Sequence, residues 1–284
     1  MTRPVFLAEP SDLLDAREGG EAGIGGTEAR HAATVRRIRA GEEIDLVDGA
    51  GRRVTGTVTG VDPARLTVSV IAVDDEPEPV PALVLIQALA KGGRDEGAVE
   101  QSTELGVDRV IPWQADRSVS RWDAKAAKGR ARWAAIAAGA AKQSRRAFVP
   151  GIEDVRTTGR LVEAARAATD AGARVLVLHE EATEPITSVP LSTGTAEPAD
   201  GDPAAGRSVT TDPATRPATG DPTSGEGPLE VWIVVGPEGG IGAEESDRLV
   251  GAGAALVRLG RHVLRSSSAG PAAIAALSVR LGRW

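Results

Sequence analysis

The residues best equipped for chemistry lie near the end of the chain, in Val231-Trp-Ile-Val-Val-Gly-Pro-Glu-Gly-Gly-Ile241 and Leu259-Gly-Arg-His-Val-Leu-Arg-Ser-Ser-Ser-Ala269. In each, an apolar run of strand character breaks at a glycine turn that leaves backbone amides uncovered. Two such turns after two parallel strands can line one pocket, because ligands of α/β proteins sit beyond the carboxyl ends of the strands. The pair therefore reads as a cofactor site. Taken alone, Gly236-Pro-Glu-Gly-Gly240 also fits an ordinary strand-to-helix connection, in which glycine supplies positive φ and Pro237 fixes the turn.

Other chemistries find little support. Cysteine is absent, so there is no disulfide, thiolate metal site or cysteine nucleophile. The three histidines, His31, His179 and His262, lack metal-ligand spacing, and no metal is expected. There is no Gly-x-Ser-x-Gly elbow, no Gly-x-Gly-x-x-Gly and no Walker loop. What remains is a glycine turn offering backbone amides to a polar, adenosine-like ligand. Its company is Lys91-Gly-Gly-Arg94, Thr103-Glu-Leu-Gly-Val107 and Gln143-Ser-Arg-Arg146.

The formal net charge of −7 argues against a nucleic-acid partner until its distribution is considered. Nine bases and a single acid, Asp123, lie between Arg117 and Arg146, and six bases with no acid lie between Arg248 and Trp284. A basic stretch in an acidic protein is a candidate phosphate surface, since Lys and Arg that neutralise phosphates release counterions. The alternative is a solvated helix face.

These residues need a scaffold, and 284 residues suffice for two domains. Residues 1–75 read as a small β-barrel: strand patterns over 41–51, 53–59 and 65–73, an Asp48-Gly49 turn, and one helix over Thr27–Arg39 with Thr27 as its N-cap. Asp74-Asp-Glu-Pro-Glu-Pro-Val-Pro81 is an acidic linker that cannot continue a sheet. From residue 76 to 284 the pattern is α/β. Strands at 83–89, 109–113, 174–179, 231–235 and 255–259 alternate with helices at 95–105, 123–144, 159–171, 243–252 and 267–281, which predicts a parallel sheet covered on both faces. Residues 190–228 are rich in Thr, Ser, Pro, Gly, Asp and Ala, and read as a disordered insertion. No apolar run approaches the about 20 residues of a membrane span, so a cytoplasmic protein is expected.

Several blocks in order resemble one family. Gln87-Ala-Leu-Ala-Lys-Gly-Gly-Arg94, Gln101-Ser-Thr-Glu-Leu-Gly-Val107, Arg117-Ser-Val119, Gln143-Ser-Arg145, Val235-Gly-Pro-Glu-Gly-Gly240 and Leu259-Gly-Arg-His-Val-Leu-Arg265 are similar to the bacterial 16S rRNA uracil-N3 methyltransferases, in the SPOUT class of knotted methyltransferases. Residues 28–41 and Asp48-Gly49 resemble the family's PUA-like domain. Relatives usually carry an acid in place of Gly93, a glutamate in place of Lys142, and Glu-Thr in place of Ser267-Ser268; the last change lies beside the expected pocket.

The resemblance implies a SPOUT-type parallel sheet with a C-terminal trefoil knot behind a PUA-like barrel. It implies S-adenosyl-L-methionine as cofactor, held by loops at Leu178, His179 and Glu180, at Gly236, Pro237, Glu238, Gly239 and Gly240, and at Leu259, Gly260, Val263, Leu264, Arg265, Ser266, Ser268 and Ala269. Leu259, Val263 and Leu264 would form an apolar wall, and Ser266–Ser268 would cap the last helix. Arg94 and Arg265 are expected to stabilise charge developing on uracil, and Glu238 to orient the base, or else to serve as phosphate clamps or structural ion pairs. Arg30, Arg36, Arg37, Lys91, Arg94, Arg117, Arg121, Arg145 and Arg146 would grip 16S rRNA in the 30S subunit. A homodimer is expected.

Overall fold

The computed structural model describes residues 3–191 and 229–284, so the expected insertion at 190–228 falls almost wholly outside the described residues. The amino-terminal part is a five-stranded sheet of β1 (Val5–Leu7), β2 (Glu21–Gly25), β3 (Glu43–Val47), β4 (Arg52–Val61) and β5 (Arg65–Asp75), in the order β1-β3-β4-β5-β2. It curls around Phe6, Ile24, Ile44, Leu46 and Leu66 as a half-barrel whose end strands do not pair. Two irregularities in the β4–β5 register, at Thr55/Gly56 and Val58/Gly60, supply the curl, because bulges sharpen strand twist. A short helix, α1 (Pro10–Leu13), lies between β1 and β2.

The helix expected over 27–39 is two pieces: α2 (Gly26–Arg30), then a π-helical turn over His31–Arg36. Thr27 is not its cap. β2 runs directly into α2, with Gly25 at the N-cap. Gly26 makes the reversal with φ of 61°, a conformation that favours glycine. Thr27 is left inside the first turn.

The second sheet contains β6 (Ala82–Ala88), β7 (Arg109–Gln114), β8 (Gly151–Ile152), β10 (Arg174–Leu178), β11 (Glu230–Val235) and β12 (Ala255–Val257) in the order β12-β10-β11-β6-β7-β8; β9 (Arg156–Thr157) also pairs with β7. These pairings are parallel. One face carries Leu83, Leu85, Val231 and Ile233 against α3 (Arg94–Glu104), α4 (Ala126–Gln143) and α7 (Ser266–Arg280). The other carries Val84, Ile86, Val175 and Trp232 against α5 (Thr158–Asp170) and α6 (Ala243–Gly251). Coverage on both faces explains the unbroken apolar runs of β6 and β11. Each fully buried Leu, Ile or Val there contributes about 1.5–3 kcal/mol. Because the main strands run the same way, their following loops gather at one end. Among the described residues no helix is long and apolar enough to cross a membrane.

Candidate cofactor and RNA site

The glycine turn after β11 has a steric reason to be glycine. A Cβ on Gly236 would lie 2.6 Å from Cγ1 of Ile241, closer than real contacts allow. Gly240 takes φ of 71°, and its amide donates to the Pro237 carbonyl at 2.9 Å. Arg117 holds the turn from outside, with Nη1 donating to the Gly239 carbonyl at 3.1 Å. Glu245, on α6, holds it from below. Its carboxylate accepts from the Gly242 amide at 3.1 Å, the Asp116 amide at 3.0 Å and the Thr158 hydroxyl at 2.7 Å. Buried with three donors, Glu245 joins the loop after β7 to the loop after β11. Sequence reasoning passed over it, although the Gly242-x-x-Glu245 spacing is that of a capping box.

The loops after β10 and β12 are fastened to each other. His179 donates its amide to Val257 at 3.0 Å, Arg258 donates to Glu184 at 2.7 Å, and Ile186 donates to Arg258 at 2.9 Å. The His179 imidazole turns back on its own loop, its Nδ1 accepting from the Glu181 amide at 3.2 Å. Glu180 is exposed. Leu178 and Leu259 pack against the core, and space is open beside the α-carbon of Gly260.

Of the expected apolar wall, Leu259 rests on the core, while Val263, 77% exposed, and Leu264, 40% exposed, stand open beside it. One expectation needs correction here. Arg265, not a serine, is the N-cap of α7, and no side chain caps that end. The Arg265 carbonyl accepts from the amides of Ser268, at 2.8 Å, and Ala269, at 3.0 Å. Ser266 is the first helical residue, and its hydroxyl is buried without a partner among the described residues.

The oxygen of the buried Gln87 amide is unpartnered too. Gln87 is on β6 and alternates with Leu85, whose Cδ1 would lie 2.9 Å from a Cβ on Gly270 in α7; it therefore shares the face that α7 covers, near the carboxyl end. Native proteins seldom bury polar atoms unpaired, and a ligand is one way to satisfy them. Bare glycine turns and two orphaned polar atoms suit an adenosine-like cofactor. Among the described residues no group of His, Asp or Glu could hold a metal ion.

Arg94 and Glu238 meet as an ion pair. Arg94 Nη1 donates to Glu238 Oε1 at 2.8 Å, and the Lys91 amide donates to the same oxygen at 3.3 Å. Burial alone would raise the Glu238 pKa; its own backbone amide, the Arg94 hydrogen bond and the Lys91 amide outweigh burial and hold it below the usual glutamate value. Arg265 is exposed and pairs with none of the described residues.

The nine expected RNA-gripping bases fall into four groups. Lys91, Arg94 and Arg117 lie against the glycine turn through Glu238 and Gly239, whereas Arg121 pairs with Asp123 at 3.6 Å. Arg30, Arg36, Arg37 and Arg145 are exposed at the half-barrel and the far end of α4. Arg146 is a correction. Its guanidinium donates to the carbonyls of Thr103 and Val107, both at 2.7 Å, and to Asp108 at 3.4 Å. Desolvation lowers its pKa, opposed by Asp108. It holds the end of α3, and its guanidinium is committed to acceptors inside the chain.

A model of the RNA methyltransferase domain matches residues 76–200 and 212–278, and one of the RNA methyltransferase PUA domain matches residues 24–71. Fold and site thus define an RNA methyltransferase. The chain is 40% identical over 267 residues to ribosomal RNA small subunit methyltransferase E of Mycobacterium bovis and of Mycobacterium tuberculosis, covering 94% of this chain and 89% of each relative. It belongs to that methyltransferase E family, and the resemblance drawn from its sequence blocks is borne out. The crystal structure of a ribosomal RNA small subunit methyltransferase E from Neisseria gonorrhoeae bound to S-adenosyl methionine shares its fold, at 24% identity, TM-score 0.74 and 98% coverage of both chains.

Proposed function

We propose that the chain transfers the methyl group of S-adenosyl-L-methionine to N3 of a uracil in 16S rRNA of the small ribosomal subunit. The observation that carries this reading is the gathering of three loops, at 178–180, 236–240 and 259–269, at the end of the sheet where Gln87 and Ser266 bury unpartnered polar atoms. Backbone groups of these loops, with Ser266, Ser268 and Ala269, would hold the cofactor and read its adenine. Bound there, the sulfonium supplies an electrophilic methyl carbon.

The chain must then align the acceptor and favour its deprotonated form, because uracil N3 carries a proton under neutral conditions. Glu238 holds the Arg94 guanidinium at the rim of the loops and partly offsets its charge. Among the described residues Arg265 has no such partner, which leaves it available to face negative charge developing on the ring. N3 lies on the Watson–Crick edge, so the target base must be unpaired or turned out. We place the unit boundary near residue 75, with a PUA-like half-barrel before it and a knotted SPOUT unit after. A homodimer would cover the exposed Val263 and Leu264, and the cytoplasm is where the substrate is found.

Incubation with 30S particles lacking the mark, followed by mapping of the modified base, tests the reading. Methylation of one uridine at N3, with tRNA ignored, is expected; transfer to tRNA or to a ribose hydroxyl would overturn it. Arg265→Ala should abolish transfer while cofactor binding persists by calorimetry, and normal turnover would remove Arg265 from its role.

A further inference from the structure

A cavity of about 370 Å³ that shares no lining residue with the glycine loops lies between the half-barrel and α4; Phe6, His31, Arg36, Lys142, Gln143 and Arg145 are in its lining. That volume is at the small end of the about 300–1,000 Å³ typical of ligand sites. α4 separates the two places. Its amino end adjoins the loop that Arg117 ties to Gly239, its carboxyl end adjoins the cavity, and its 18 residues span about 27 Å.

Two backbone irregularities border the cavity. His31–Arg36 is a π-helical turn, a rare form frequent at functional sites. It ends at Arg37 with φ of 54°, and α4 ends at Arg145 with φ of 61°. Glycine is the usual residue at a left-handed helix end, because a side chain there is strained. Both ends here keep arginine. Lys142 is committed to Glu28 at 2.7 Å, whereas Arg36 and Arg145 have exposed side chains with no ion pair among the described residues. The His31 ring meets Phe6 edge-on, with centroids 6.4 Å apart.

We propose that this cleft holds one unpaired nucleotide of the RNA substrate, its phosphate on Arg36 and Arg145 and its base against His31 and the Gln143 amide. The inference rests on the methyl-transfer reading. It adds that the cleft contacts RNA at the opposite end of α4 from the Arg117 loop, at a nucleotide other than the acceptor.

Arg145→Gly suits the test, because glycine relieves the left-handed backbone while removing the guanidinium. In the full-length protein, Arg36→Gln with Arg145→Gly should raise KM for unmodified 30S particles at least tenfold, keep S-adenosylmethionine affinity, and flatten the salt dependence of binding by about 0.7 per lost contact. Photo-cross-linking should join the cleft to a nucleotide separate from the methylated one. An unchanged KM and salt slope, with the wild-type protein active, overturns the cleft assignment alone. Cross-linking of the cleft to a ribosomal protein also overturns it, in favour of a protein partner. A wild-type protein that methylates no 30S particle overturns the parent reading, and the cleft assignment with it.

Discussion

At the amino-terminal end of the parallel sheet, Arg146 and Arg283 reach inward and find acceptors: the carbonyls of Pro81, Thr103, Gly106 and Val107, and both oxygens of Asp108. Of these two guanidiniums only Nε of Arg283 is left without a partner. At the carboxyl end Glu245 is likewise committed to three donors, but Gln87 and Ser266 are unpartnered in the interior and Arg265 pairs with none of the described residues. The two arginines of the first end are spent on holding the chain. Gln87, Ser266 and Arg265 keep polar groups available, which is what a binding site requires.

Disruption at the two ends should therefore separate stability from activity. The largest stability effect is expected from Asp108→Ala. Asp108 accepts from Arg146, Arg283 and the Leu83 amide, so its loss leaves two largely buried cations uncompensated and costs about 3–5 kcal/mol, measurable by urea denaturation. Gly236→Ala should cost less, about 1–3 kcal/mol from the clash with Ile241. It should also weaken S-adenosylmethionine binding at least tenfold by calorimetry, and wild-type affinity would show that the turn is only a connection.

Arg94→Ala should change stability by no more than about 1 kcal/mol, because its side chain is 48% exposed and exposed pairs contribute little. Methyl transfer should nevertheless slow by about tenfold, equivalent to about 1.4 kcal/mol of barrier; an unchanged rate would make the pair with Glu238 purely structural. The smallest effect concerns pH. The folded pKa of Glu238 lies below its ordinary 4.5, so its contribution is present above 4.5 and is lost as pH falls through the folded value. Asp95 has the opposite sign: desolvation raises its pKa above 3.8, so it erodes stability as pH rises through its folded value. Acid titration of stability for Glu238→Gln against wild type should show the difference shrinking toward low pH.

The major alternating strands and helices of the second sheet were legible from sequence, because long apolar runs separated by amphipathic stretches have one stable arrangement. β1 and β2 were not. Three residues are too few to show a period, and Glu21-Ala-Gly-Ile-Gly25 lacks the β-branched residues that mark strands. The glycine turns announced the site, but their support from Glu245 did not, since a glutamate at the start of a helix usually serves only its own amides. Arg145 and Arg146 are the sharpest case. Side by side they read as one basic patch, yet the left-handed φ at Arg145 lets one side chain face the cleft while its neighbour enters the core.

The fastening of the loop after β10 also bears on when the protein becomes competent. Residues 184–186 are bonded to Arg258, and the carbonyls of Ile186 and Val189 accept from the guanidinium of Arg280 at the end of α7. The half-barrel draws its strands from the first 75 residues and can form early in synthesis. The loops after β10 and β12 cannot lock until α7 emerges, and such distant contacts close slowly. A nascent chain will therefore carry its half-barrel before its loops at the end of the parallel sheet are fastened.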